Sequence, residues 1–175
     1  MTNPGDLLLV VDDDESIGRT LSRILTNAGY QCSWVATGRA AIEYAGGLQG
    51  QDKRLNAAMI DIRLPDINGL EVLRGIKKMY PDAGAVMMTG FVDTETAISA
   101  LNEGAFAYVQ KPYNIDEVKV ILARIMERQK LLAENRELLR KLLEVNASLE
   151  DKVTQRTQEL QHTNRRLQEN ARQLS

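Results

Sequence analysis

The chain has 175 residues, 43% of them hydrophobic and 5% aromatic, and a formal net charge of −2. That length holds one ordinary domain plus something extra, and the balanced charge excludes the basic bias that binding to nucleic acid or an anionic membrane surface requires. One cysteine, Cys32, cannot make an internal disulfide, no apolar stretch nears the roughly 20 residues that span a bilayer, and no signal-peptide pattern opens the chain; a soluble cytoplasmic protein is expected.

Composition changes near residue 113. All four prolines, all twelve glycines and every aromatic residue lie at or before Tyr113, where the net charge is −4. The 62 residues after it carry a net charge of +2 and are rich in Leu, Glu, Arg, Gln and Asn. The first part alternates strand and helix patterns. Residues 7–11 are an apolar run of strand length, and residues 15–28 form a helix with Ile17, Leu21, Ile24, Leu25 and Ala28 on one face, stopped by Gly29. Residues 31–35 are a second strand. Thr37 caps a second helix that Gly46-Gly47 ends, and residues 49–56 are a polar loop. Residues 57–60 make a third strand, 70–79 a helix closed by Pro81, 84–88 a fourth strand, 94–103 a helix stopped by Gly104, and 106–109 a fifth strand. Five strands alternating with helices predict an α/β domain with a doubly wound, five-stranded parallel sheet, flavodoxin-like in its order 2-1-3-4-5.

Asn114 caps the fifth helix, with Asp116 and Glu117 near its positive end, and no stop signal follows. Ile125, Leu132, Leu139, Asn146, Val153, Leu160, Leu167 and Leu174 recur every seven residues, with Leu142 and Leu149 in the series three positions on. A strict seven-residue period predicts a left-handed coiled coil, and Asn146 among the leucines favours a two-stranded, in-register pairing. The expected division is a domain over residues 1–128 and a coiled-coil extension of the fifth helix over 129–175, the latter a homodimer seam.

Polar residues gather where the apolar runs end. Asp12 and Asp13 follow the first strand, Asp61 ends the third, Thr89 the fourth, and Lys111 follows the fifth. Ligands bind beyond the carboxyl ends of strands in open α/β sheets, next to the point where strand order reverses. Three carboxylates brought together there need a cation, and oxygen-only ligands select a hard ion such as Mg²⁺. Lys111 and Thr89 add a positive charge and a hydroxyl donor suited to a phosphoryl group. As a pocket-surface group, Lys111 is expected to matter for phosphoryl binding and little for stability. Asp66 reads as a turn residue, Asn68-Gly69 as a turn needing conformational freedom, and His162 as a solvated helix residue.

The motifs Val-Val-Asp12-Asp13, Met-Ile-Asp61-Ile-Arg-Leu-Pro65-Asp-Ile-Asn-Gly69, Met-Met-Thr89-Gly90 and Tyr108-Val-Gln-Lys111-Pro112 stand in one order and spacing. In these the chain resembles the receiver domain of two-component response regulators, and the stretch from Thr89 to Ala97 is most similar to receivers of the nitrogen-regulation type. The resemblance implies a signalling switch, not an enzyme. Asp61 is then the phosphoacceptor. Asp12, Asp13, Asp61 and the backbone carbonyl of Arg63 hold Mg²⁺, and Thr89 and Lys111 bind the phosphoryl group. Tyr108 is the aromatic switch residue, and Pro112 follows a cis bond. The implied partners are a sensor histidine kinase or phosphotransfer protein, with the signal passing through the face of helix four, strand five and helix five to the coiled coil. Two other readings share the acidic pocket: an Mg²⁺-dependent aspartyl-nucleophile phosphohydrolase, and a structural dimeriser with an inactive receiver. The first usually carries a second Asp two residues after the nucleophile, where Arg63 stands, and the second predicts a damaged pocket. Heptad register persists to Ser175, and the stretch 150–160 resembles signalling linkers, so a further module is expected beyond it.

Overall fold

The computed structural model describes residues 6–51, 53–90 and 94–173. Residues 91–93 of the Thr89 motif and Leu174 of the heptad series lie outside the described residues. The elements run β1 (Leu7–Val11), α1 (Glu15–Asn27), β2 (Gln31–Val35), α2 (Gly38–Gln49), β3 (Ala57–Asp61), α3 (Gly69–Met79), β4 (Gly84–Thr89), α4 (Thr94–Asn102), β5 (Ala107–Gln110) and α5 (Ile115–Gln173). All strand pairs are parallel and the order is β2-β1-β3-β4-β5.

Every residue of β1, β3 and β4 is buried, as strands covered on both faces must be. The two-residue period splits their side chains between two cores. Leu7, Leu9, Val11, Ala58, Ile60, Ala85 and Met87 face α2, α3 and α4. Leu8, Val10, Ala57, Met59, Val86 and Met88 pack with Leu21 and Leu25 of α1 and Val118, Leu122 and Ile125 of α5. Close packing reaches the backbone: a Cβ on Gly84 would lie 2.3 Å from Cγ2 of Ile125.

Helix α2 does not stop at Gly46-Gly47 but continues to Gln49. Nothing lies within 4 Å of where a Cβ on either glycine would be, while Leu48, the next residue, is buried. Burial of that leucine overrides the low helix propensity of two exposed glycines. Asn114 Oδ1 accepts the Asp116 N–H at 2.8 Å at the start of α5, and no proline or glycine interrupts the helix afterwards. The chain divides into two compact units between Lys130 and Leu131. In the second unit the described side chains are exposed except Leu132, which is half-buried. Among the described residues, no helix is long and apolar enough to cross a membrane.

Candidate functional site

The carboxyl ends of β1, β3 and β5 bring their residues to one place, with β4 lying between β3 and β5. Asp12 follows β1 and is fully buried; Asp61 is the last residue of β3 and 7% exposed. Lys111 follows β5, and its ammonium joins the two, with Nζ 2.6 Å from Asp12 Oδ2 and 2.5 Å from Asp61 Oδ2. Asp13 is exposed beside them, and Asp12, Asp13 and Asp61 each offer a carboxylate oxygen within 4.8 Å of the others. The sequence expectation that these carboxylates and Lys111 converge is matched by this geometry. The expectation of a surface lysine is not: only 16% of the Lys111 side chain is exposed, because its stem is covered on the way to two buried acids.

The backbone aims each group. The Asp12 N–H donates to the Val35 carbonyl at 3.2 Å, and Asp12 Oδ1 accepts the Asp14 N–H at 3.0 Å. Asp61 Oδ1 accepts the Arg63 N–H at 3.0 Å, which brings the Arg63 backbone to the rim of the pocket. The Ile62 N–H continues the ladder to Met88 O at 3.0 Å. Gly69 packs onto this bend: a Cβ there would lie 2.2 Å from the Asp61 carbonyl oxygen. Close approach, rather than the turn freedom read from the sequence, therefore demands glycine at this position. Thr89, the buried last residue of β4, accepts the Lys111 N–H through its carbonyl at 2.6 Å. Tyr108 pairs with Met87 in the sheet and packs, half-buried, against the core under α2, α3 and α4. The Lys111–Pro112 bond is cis.

Electrostatics follows from this burial. Desolvation pushes the Asp12 carboxyl above its usual range, against the hydrogen bond from Lys111. Desolvation also works against the Lys111 ammonium, but the bonds to Asp12 and Asp61 outweigh it and hold the group above the usual lysine value. Burial, and then the nearby charge of Asp12, raises the Tyr113 phenol. Tyr113 was not singled out in the sequence; only its place two residues after Lys111 could have pointed to it. Nor was Asp66 read for what it does. Its Oδ1 accepts the Gly38 N–H at 2.9 Å and its Oδ2 the Arg39 N–H at 2.8 Å, so a loop carboxylate after β3 satisfies the first amides of α2. Those bonds, the Arg39 one foremost, hold its carboxyl below the usual range.

All three acids offer only oxygen, in a cluster too charged to be left with one ammonium, which is the donor set of a hard divalent cation. Residues 8–123 match the model of the response regulator receiver domain, and the chain belongs to that family. It is 36% identical over 115 residues to the DNA-binding transcriptional regulator NtrC of Klebsiella pneumoniae, covering 66% of this chain and 24% of that protein. The receiver domain protein of Clostridium thermocellum superposes with a TM-score of 0.65 at 27% identity, over 73% of this chain and 98% of the other. NtrX from Brucella abortus gives a TM-score of 0.67 at 29% identity, over 77% of this chain and 30% of that one. The chain spans about a quarter of the length of the curated relatives it matches. Fold, acidic pocket and family together fit a phosphorylation-operated switch.

Proposed function

We propose that Asp61 is the phosphoacceptor of this switch and that the donor is a phosphohistidine of a sensor kinase or phosphotransfer protein. A carboxylate oxygen of Asp61 attacks phosphorus; the new O–P bond forms as the P–N bond breaks, and the leaving imidazole keeps the electron pair. Water later takes the phosphoryl group as the Asp61 O–P bond breaks, releasing inorganic phosphate and restoring the carboxylate. The observation that carries this reading is the bridge of Lys111 Nζ to Asp12 Oδ2 and Asp61 Oδ2 at 2.6 and 2.5 Å. The bridge places a cation directly against the attacking carboxylate, beside the site where phosphoryl oxygens would sit. Asp12, Asp13, Asp61 and the Arg63 carbonyl are the residues that would hold Mg²⁺, which neutralises phosphoryl charge when bound. Thr89 supplies a hydroxyl to a phosphoryl oxygen, and Tyr108 follows it on the neighbouring strand as the switch residue. The added charge shifts an existing equilibrium of the α4–β5–α5 face.

The second unit acts as a homodimer seam in this reading. Leu139, Leu142, Leu149, Val153, Leu160 and Leu167 are all more than half exposed on a single chain, and Leu132 and Asn146 stand in their series. Helices keep leucines so exposed only with a partner to cover them. Leu131, Leu138 and Val145, which the seven-residue series passed over, are equally exposed beside it, so the apolar stripe is widest over residues 131–149.

Incubation with acetyl phosphate, or with beryllium fluoride as the phosphoryl mimic, tests the acceptor. The wild type gives a Mg²⁺-dependent adduct and a change in its spectrum; Asp61→Asn gives neither. Uptake by Asp61→Asn that Asp12→Asn abolishes would move the acceptor to Asp12.

A further inference from the structure

The peptide after Asp12 is gripped by a residue that no catalytic reading requires. Trp34, the single tryptophan of the chain, donates its indole Nε1–H to the Asp12 carbonyl oxygen at 2.9 Å. The next residue of β2, Val35, accepts the Asp12 N–H. Consecutive residues of the edge strand therefore hold both backbone polar groups of Asp12, one through the ladder and one through a side chain. The Asp12 carbonyl is half of the planar Asp12–Asp13 peptide, and that plane sets the direction in which Asp13 leaves the strand. Asp13 is exposed, so its backbone does most to determine where its carboxylate stands.

Two neighbours are shaped to the indole. Gly18 is a buried residue inside α1, where glycine is the poorest helix former after proline. A Cβ there would come within 2.0 Å of Trp34 Nε1 and 2.2 Å of its Cδ1. Arg19 sits with its guanidinium 5.3 Å from the ring centroid, and its Nε pairs with Glu15 at 2.7 Å. The missing side chain at Gly18 is what lets the ring reach the Asp12 carbonyl.

We propose that Trp34 is a positioning residue for divalent cation binding: by fixing the Asp12–Asp13 peptide it keeps the Asp13 carboxylate turned toward those of Asp12 and Asp61. This rests on the reading that these three acids hold the cation. A ligand already in place loses less freedom on binding, so releasing the peptide weakens affinity without removing a ligand. Trp34→Phe keeps the aromatic packing and deletes the N–H; Gly18→Ala keeps the N–H and displaces the ring. Titration of the full chain with Mg²⁺ by calorimetry should show each variant binding about tenfold more weakly, the size typical of losing an outer-shell partner. Cation-free circular dichroism should be unchanged. Asp13→Asn should lose most of the affinity, and Trp34→Phe added to it should cause no further loss, since the indole acts through Asp13. If Asp13→Asn binds Mg²⁺ like the wild type, the cation reading falls and this inference with it. If Asp13→Asn loses binding while Trp34→Phe or Gly18→Ala retains it, the cation reading stands and Trp34 has no positioning role. Failure of both Trp34→Phe and Gly18→Ala to fold would show the indole to be a packing residue and would equally overturn the proposal.

Discussion

Lys111 is the residue on which the pocket's charge balance depends. Its ammonium separates two carboxylates that burial would otherwise leave facing each other. Lys111→Ala should therefore do more than disable phosphoryl binding. The cation-free chain is expected to lose about 1–3 kcal/mol of stability, the scale of leaving a buried charged group without its partner. Mg²⁺ should recover part of that loss, because a ligand that binds only the folded state stabilises it. Thermal melts of both proteins with and without Mg²⁺ decide it; equal cation-free melting temperatures would mean the ion pair contributes nothing net. The site residues were legible because each charged or hydroxyl group ends an apolar run, and position at a strand's carboxyl end is a local signal. Trp34 was not legible, since its acceptor lies 22 residues away and nothing in the spacing joins the two. Gly69 was legible as a glycine but for the wrong reason, as a missing Cβ against the Asp61 carbonyl leaves no local mark in the sequence.

At the scale of elements, strand and helix order could be read throughout, because two-sided burial makes β1, β3 and β4 continuous apolar runs. Boundaries were less readable where tertiary packing decides them, as at the end of α2. The start of α2 is a further case, since part of its cap comes from Asp66, 27 and 28 residues beyond the amides it accepts. Asp66→Ala should lower the melting temperature at neutral pH by exposing those amides at the positive end of the helix. The folded-state value of this carboxyl lies below its unfolded value, so its contribution is present above about pH 4 and is lost as pH falls through the lowered folded value. The gap between wild type and variant should accordingly narrow on acidification toward about pH 3. A gap that stays constant over that range would show that the carboxylate's charge is irrelevant to the cap.

For the whole molecule, the proposed pairing gives the plainest measurement. Sedimentation of the full chain is expected to give a dimer with or without beryllium fluoride, and a chain ending at Lys130 a monomer or a weak dimer. The buried cores lie within residues 7–125, so the shorter chain keeps everything that holds the sheet together. A full-length monomer at micromolar concentration would remove the seam; tight dimers of the shorter chain would move it into the first unit.

One helix, α5, holds core residues of the first unit at one end and the leucine series at the other, without glycine or proline between. Such a helix has a single phase. Inserting one residue turns every later side chain by about 100° around the axis, whereas inserting seven returns it to within about 20°. Changes of length in this segment are therefore graded by their remainder on division by seven, not by their size. A seven-residue duplication would be nearly silent, and the loss of a single residue would turn the later leucines by about 100° from the earlier ones.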